Sequence, residues 1–247
     1  LLVVGSVAID WIITPRAERK ESVGGSATFF AMAASYLSQV RLVGVVGGDF
    51  PPAAVADLRA AGVDTSGLEV IEGGKTFRWK GQYHDNMNDR TTLETHLNCF
   101  EHFAPKLPPA YRGSEYLFLA NIQPRLQEQV FMQMQPPRLV GLDTMNLWIS
   151  IANADLRSVL RHVDVLTLND EEARQLSGEH NLVKAARAVQ KLGPKNLVIK
   201  RGESGALLFD RDGDVFSAPA LPLEEVVDPT GAGDSFAGGF MGYLARP

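Results

Sequence analysis

Short apolar runs alternate with longer amphipathic stretches along most of the chain. The runs that predict strands are residues 1–9, 41–46, 116–120, 139–142, 163–168 and 197–200. Several are almost continuously apolar, which is typical of strands covered by helices on both faces. Helices are predicted over residues 26–38, 53–61, 125–134, 149–161, 182–192 and 234–244. This alternation predicts a three-layer α/β/α fold with a mostly parallel central sheet, built as a single domain over residues 1–247.

Two segments depart from this alternation. Residues 11–23 are polar and loop-like, and residues 75–103 contain short stretches that alternate as exposed strands do, such as Thr76-Phe77-Arg78-Trp79-Lys80. In an open α/β fold, ligands bind at the carboxyl ends of the strands. We therefore predict that the two segments form a small β lid over that edge and exclude water from it. Exposed lid strands can also pair between subunits, which suggests a homodimer.

Composition narrows the classes of partner. The chain has 247 residues, 45% hydrophobic and 21% charged, with a formal net charge of −5. Acidic and basic residues are mixed and form no basic stripe, so no nucleic-acid partner is expected. No window approaches the roughly 20 apolar residues of a membrane span, so no membrane partner is expected either. The single cysteine, Cys99, rules out an internal disulfide and favours the reducing cytoplasm.

The strongest chemical signal is the segment Asp228-Pro229-Thr230-Gly231-Ala232-Gly233-Asp234, which stands directly before a predicted helix. Its small residues permit a tight turn in which backbone N–H groups converge. The helix N-terminus adds further N–H donors, so the segment suits a phosphoryl group in transfer. Asp234 is placed to accept the proton of an attacking hydroxyl. The alternative is a structural one, in which Asp234 merely caps the helix.

This segment resembles the D-x-x-G-A-G-D signature of the ribokinase/PfkB carbohydrate kinase family, which includes adenosine kinases. The signature is matched at Asp228, Gly231, Ala232, Gly233 and Asp234. Further segments resemble family landmarks in the family's order: Gly5–Asp10, Val23–Ala27, Val43–Asp49, Asn169–Glu172 and Lys200–Gly205. The resemblance covers essentially the whole chain and implies a ribokinase-like fold.

The resemblance also implies roles for individual residues. Asp234 would be the catalytic base, and Gly231, Ala232 and Gly233 would hold the phosphoryl group. Asp10, Gly24 and Gly25 would bind substrate, and Asp143 and Asn146, which follow another strand, are further candidates there. Nucleotide contacts would come from Asn169, Lys200, Gly202 and Gly205. Glu172 would act on Mg²⁺ through water, and Asp228 would help bind a monovalent cation such as K⁺.

Structural roles compete with three of these assignments. Asp10 could cap a turn or helix. Asn169 and Glu172 have the spacing of a capping box, although a capping role is compatible with a functional one. The segment from Gly202 to Gly205 could be a plain β-turn.

The predicted function is therefore an ATP- and Mg²⁺-dependent kinase that transfers the γ-phosphoryl group to a primary hydroxyl of a sugar. The first alternative is an adenosine-like nucleoside kinase. Where family members often have Asn, this chain has Thr28-Phe29-Phe30, which weakens the case for ribose or fructose as the acceptor. The second alternative is a catalytically weak sugar- or nucleotide-binding protein on the kinase scaffold.

Overall fold

The computed structural model describes residues 1–247, with thirteen strands and eight α-helices. The strands are β1 (Leu2–Val4), β2 (Ala8–Ile13), β3 (Glu18–Gly24), β4 (Val40–Gly47), β5 (Val63–Ile71), β6 (Phe77–Tyr83), β7 (Arg90–His96), β8 (Tyr116–Leu119), β9 (Leu139–Asp143), β10 (Val165–Asn169), β11 (Asn196–Lys200), β12 (Ala206–Phe209) and β13 (Val215–Ala218). The helices are α1 (Ser26–Ser35), α2 (Pro52–Ala60), α3 (Pro124–Phe131), α4 (Asn146–Ile151), α5 (Asn153–Leu160), α6 (Asp170–Ser177), α7 (Leu182–Gln190) and α8 (Ala232–Leu244). None of the helices has both the length and the apolar character needed to cross a bilayer.

The chain divides into two compact units, and the first comprises Leu1–Tyr111 with Leu223–Pro247. Its parallel strands run in the order β1-β4-β5. Strand β1 and nearly all of β4 are buried, as expected for apolar parallel strands. Helices α1 and α8 pack against each other in this unit.

Small residues let α1 and α8 approach closely. A Cβ atom on Gly238 would collide with the backbone oxygen of Phe30, and one on Gly242 would lie 3.0 Å from the Cα of Ala34. The contacting positions advance together along the two helices, so the helices run parallel. Their N-terminal turns therefore lie at the same end of the pair.

A separate four-stranded sheet, which we call the small sheet, has the strand order β3-β2-β6-β7. Strands β2 and β6 are parallel, with Asp10 paired to Trp79. Because side chains alternate along a strand, Asp10, Trp79, Gly81 and Tyr83 share one face, which we call the Asp10 face. On the opposite face, Trp11 lies beside the ammonium groups of two lysines, with the nearer 3.7 Å from the ring centroid.

The second unit, Arg112–Pro222, has the strand order β8-β9-β10-β11-β12-β13. Strands β8 to β11 are parallel, and β12 is antiparallel to both of its neighbours, β11 and β13. Asp143, Asn169 and Lys200 are the last residues of β9, β10 and β11, so they lie at one edge of this group of strands.

The α/β class and the mostly parallel strands predicted from the sequence are confirmed, but the first apolar run is not one strand. It breaks after β1, and β2 enters the small sheet instead. The break is held by two serines, because Ser26 N–H donates to Ser6 Oγ at 3.0 Å and the two hydroxyl oxygens lie 3.1 Å apart. Likewise, the helix predicted over 149–161 is interrupted at Ala152, where φ is −133°.

The predicted lid segments fall largely on β2, β3, β6 and β7 of the small sheet. Their role as a lid and the single-domain organisation stay predictions.

Candidate active site

The turn before α8 has the backbone geometry that an anion site needs. Gly231 precedes the helix with φ at 76°, a conformation that favours glycine. A Cβ atom there would also collide with the ring of Phe29. The helical hydrogen bonds begin where Ser235 N–H donates to Gly231 O at 2.8 Å. The first N–H groups of a helix have no acceptor within it, so this turn presents donors and positive dipole to a ligand.

The preceding residues fix the approach to that turn. Thr230 N–H donates to Asp228 Oδ1 at 2.9 Å, and Ala232 N–H donates to Pro229 O at 3.1 Å. Asp234 lies in the first turn of α8. The predicted anion-binding residues and the predicted base therefore occupy one short, internally bonded segment.

Asp10 is a buried carboxylate on β2, with 5% of its surface exposed. Burial, and to a lesser extent the charge of Asp228, together raise the pKa of Asp10 from 3.8 to about 7. Gly24 makes room for this side chain, since a Cβ atom on Gly24 would collide with the Asp10 carboxylate. The structure thus brings two predicted substrate residues into contact and places both near the predicted cation ligand Asp228.

Gly25 stands at the N-terminus of α1 with φ at 99°. A Cβ atom there would collide with Ser6 O, so the position requires glycine for both conformation and space. Because α1 and α8 run parallel, the turn at Gly25 lies at the same end of the helix pair as the turn at Gly231. The Phe29–Gly231 contact is direct evidence of this.

Tyr83 is a site residue that the sequence did not reveal. It ends β6 on the Asp10 face, is 7% exposed, and accepts a hydrogen bond from Thr230 Oγ1 at 3.2 Å. Burial raises the pKa of Tyr83, with smaller contributions from the charges of Asp228 and Asp10. Strand alternation could have grouped Tyr83 with Trp79, but no local pattern identifies a partner 147 residues away.

Asn169 and Glu172 form the capping box that their spacing predicted. Asn169 Oδ1 accepts the Glu172 N–H at 2.8 Å, and Glu172 Oε2 accepts the Asn169 N–H at 2.8 Å. Glu172 is 6% exposed, so its carboxylate is fixed in place. A carboxylate has about four lone-pair sites, so capping does not exhaust its capacity. Mg²⁺ usually keeps several waters, and Glu172 fits a role that acts through one of them.

Lys200, predicted to contact the nucleotide, forms an ion pair with Asp143, predicted to contact the substrate. Lys200 Nζ lies 2.8 Å from Asp143 Oδ2, and the Asp143 side chain is 5% exposed. The other carboxylate oxygen accepts the Thr144 N–H at 2.8 Å. Asn146, three residues further on, is exposed at the start of α4. Asp143 therefore has a structural partner that accounts for its burial, and its role in substrate binding stays a prediction.

The segment from Gly202 to Gly205 is a tight turn stabilised by its own backbone. Arg201 N–H donates to Gly205 O at 2.8 Å, and Gly202 and Gly205 have φ of 54° and 84°. A Cβ atom on Gly205 would collide with Ala218 O. The backbone conformation accounts for glycine at both positions, and contact of these residues with a nucleotide stays a prediction.

Comparison with known proteins identifies the family. The profile of the pfkB family of carbohydrate kinases matches residues 1–247. A cytidine kinase from Thermococcus kodakarensis is 32% identical over 251 residues, an alignment that covers all of this chain and 88% of that protein.

Two solved structures share the fold. One is a candidate ribokinase II from Escherichia coli in complex with ATP and Mg²⁺, with 20% identity and a TM-score of 0.82 over 98% of this chain and 84% of that one. The other is a nucleoside kinase from Burkholderia thailandensis in complex with inosine, with 22% identity and a TM-score of 0.79 over 98% and 83%. Together with the profile match, these findings confirm the predicted ribokinase-like fold, and the chain belongs to the pfkB family of carbohydrate kinases.

Proposed function

We propose that this kinase transfers the γ-phosphoryl group of ATP to the primary hydroxyl of a nucleoside. The observation that carries the proposal is the grouping of Asp10, Gly24 and the Asp228–Asp234 turn within one unit. Asp228 influences the pKa of Asp10, and Tyr83 joins the Asp10 face of the small sheet to the turn. The residues to which we assign substrate binding thereby lie near those to which we assign phosphoryl binding.

Asp10 binds the hydroxyl groups of the acceptor, because a carboxylate can accept two hydroxyl hydrogen bonds in a fixed geometry. Gly24 leaves the room that this carboxylate occupies, and we assign further substrate contacts to the backbone of Gly24 and Gly25. Asp234 takes the proton of the attacking hydroxyl. The backbone N–H groups of Gly231 and Gly233 hold the oxygens of the phosphoryl group as charge develops on them. Ala232, whose N–H donates to Pro229 O, keeps the turn in shape for this.

We assign the nucleotide contacts to Asn169, Lys200, Gly202 and Gly205. Glu172 would hold a bound Mg²⁺ through a water, and the ion would supply charge neutralisation at the phosphates. The match in fold to a protein crystallised with ATP and Mg²⁺ supports these cofactors. A monovalent cation at Asp228 and substrate contacts by Asp143 and Asn146 remain predictions.

Aromatic side chains near Asp10 favour a nucleoside over a bare sugar. Trp79 is the strand neighbour of Asp10 on the same face of the small sheet. Its ring packs over Gly81, and its Nε1–H donates to Thr92 Oγ1 at 3.2 Å, which fixes its orientation. Phe29, against Gly231, is a second aromatic ring. Stacking of a base on such a ring is worth about 1–3 kcal/mol. The relationship to a cytidine kinase supports the same choice.

The test is a panel of acceptors that includes cytidine, adenosine, inosine, ribose, fructose and 2-dehydro-3-deoxygluconate. ADP release and the mass of the product are measured with ATP and Mg²⁺, and Asp234→Asn serves as the inactive control. We expect turnover to be fastest with a nucleoside, with a nucleoside 5′-monophosphate as product. Turnover confined to free sugars would show that the acceptor is wrong. Thermal stabilisation by ligands without ADP release would instead identify a binding protein.

Two tryptophans on opposite faces of the small sheet provide a matched pair of variants. Trp79→Ala removes the ring beside Asp10, whereas Trp11→Ala removes a ring from the opposite face. We expect Trp79→Ala to raise the nucleoside KM by about 5- to 100-fold, the loss of one stacking contact. Trp11→Ala should leave that KM nearly unchanged. Equal effects of the two variants would contradict a role for Trp79 in binding the base.

A further inference from the structure

Tyr83 connects the small sheet to the phosphoryl-binding turn. It is the last residue of β6, and its hydroxyl accepts the hydrogen bond from Thr230 Oγ1. Thr230 stands directly before Gly231, and its N–H is held by Asp228 Oδ1. The hydroxyl of Tyr83 therefore accepts one hydrogen bond from Thr230, and Asp228, within the turn itself, accepts another.

The hydrogen bond between Tyr83 and Thr230 links the face of the small sheet that carries Asp10 to the turn before α8. Tyr83 shares the Asp10 face with Asp10 itself, on a neighbouring strand of the same sheet. Tyr83 is buried, with only 7% of its surface exposed. A buried hydroxyl costs free energy unless it is hydrogen-bonded, so the bond to Thr230 is favoured over an unbonded arrangement. The hydroxyl is protonated at neutral pH, and burial raises the pKa of Tyr83 further above its usual value.

We propose that Tyr83 is a positioning residue that couples the small sheet, which carries Asp10, to the turn that carries Asp234. Through Thr230, it holds the turn in the conformation in which the backbone N–H groups and Asp234 act together on the phosphoryl group. The inference rests on the proposed phosphotransfer reaction but not on which acceptor is used. Tyr83 acts through Thr230, so it affects the transfer step more than the binding of either substrate.

The experiment is a double-mutant cycle between Tyr83→Phe and Thr230→Val. Each substitution keeps the shape of the side chain and removes one of the two hydroxyls. With the best acceptor from the panel, we expect each single variant to lower kcat by about 3- to 10-fold, as the loss of one hydrogen bond predicts. The KM values for ATP and acceptor should change by less than about twofold, well below that loss. The double variant should be no slower than the slower single variant.

Two further variants separate positioning from general damage. Thr230→Ser keeps a hydroxyl donor and should retain more of the kcat than Thr230→Val. Tyr36→Phe removes a hydroxyl from a tyrosine that is 85% exposed, and it should match the parent. Melting temperatures of all variants identify losses of activity that arise from unfolding.

The outcomes distinguish this inference from the proposed function. Parent-like kcat in Tyr83→Phe, independent effects in the cycle, or losses confined to KM would overturn the coupling role while leaving the kinase assignment intact. Absence of turnover by the unmodified protein with every acceptor would overturn the proposed function and this inference with it. Non-additive losses of kcat in the double-mutant cycle, with unchanged KM values, support both the coupling role of Tyr83 and the kinase assignment.

Discussion

The raised pKa of Asp10 allows a test in which stability and substrate binding are read from one residue. The substitution is Asp10→Asn, which keeps the shape of the side chain and removes its charge. In the folded protein the pKa of Asp10 is raised from 3.8 to about 7, first because the side chain is buried and second because Asp228 is close. The folded state therefore holds this proton more tightly than the unfolded chain does.

The sign of the pH effect follows from that difference. Well below pH 4 the carboxyl group is protonated in both states and costs no stability. As the pH rises towards 7, the unfolded chain loses the proton while the folded protein retains it, so the parent loses stability. With about 1.4 kcal/mol for each pH unit between the two pKa values, the loss reaches a ceiling of about 4 kcal/mol above pH 7. Asp10→Asn lacks this loss.

Urea unfolding of the parent and of Asp10→Asn at several pH values between 4.5 and 8 measures the effect. We expect the free energy of unfolding of the variant, relative to the parent, to increase steadily over that range and to level off above about pH 7. Asp228→Asn keeps its acceptor for the Thr230 N–H but removes the neighbouring charge, so it should shift the pH dependence of the parent to lower pH. A difference between Asp10→Asn and the parent that is the same at pH 5 and pH 8 would refute the reasoning.

We expect the same proton to govern binding of the acceptor. With a pKa near 7, Asp10 is protonated in roughly nine of ten molecules at pH 6. We expect the acceptor KM of the parent to fall as the pH rises from 6 to 8, because the carboxylate accepts hydroxyl hydrogen bonds better than the neutral acid. In Asp10→Asn the KM should be higher at pH 8 and nearly independent of pH. A parent KM that does not change over this range would show that Asp10 does not bind the acceptor through its charge.

Three further substitutions test other parts of the site. Asp234→Asn should fold as the parent does and lower kcat by about 10²–10⁴-fold, the usual contribution of a general base, whereas turnover within about threefold of the parent would leave Asp234 only a cap. Glu172→Gln keeps an acceptor for the Asn169 N–H, so we expect an unchanged melting temperature but a higher Mg²⁺ concentration for half-maximal rate; full activity at limiting Mg²⁺ would limit Glu172 to the capping box. Lys200→Met leaves the Asp143 carboxylate buried without its cation and should destabilise the protein by about 3 kcal/mol in urea unfolding, a loss that Asp143→Asn in the same chain should partly reverse if the ion pair is its cause.

Local features of the chain were readable without the structure. The alternation of apolar runs predicted the α/β class, because strand and helix periods are properties of neighbouring residues. The spacing of Asn169 and Glu172 predicted a capping box, and both of its hydrogen bonds are present. The order of small residues before Asp234 predicted a turn at a helix start, which Gly231 forms.

Contacts between distant segments were decided only by the tertiary structure. The sequence could not show that the first apolar run breaks at Ser6, since the bonds that hold the break come from Ser26. It could not assign a pKa near 7 to Asp10, because that value depends on burial and on Asp228, more than 200 positions later.

The sequence by itself determined the class of fold, the family motifs and the turn that suits a phosphoryl group, because each depends on residues within a few positions of one another. The tertiary structure decided which of these residues meet. Tyr83 reaches Thr230 and Lys200 reaches Asp143 through the packing of strands and turns that are far apart in the chain. Burial, which sets the cost of a charge or an unbonded hydroxyl, arises only from that packing, and so it cannot be read from local pattern.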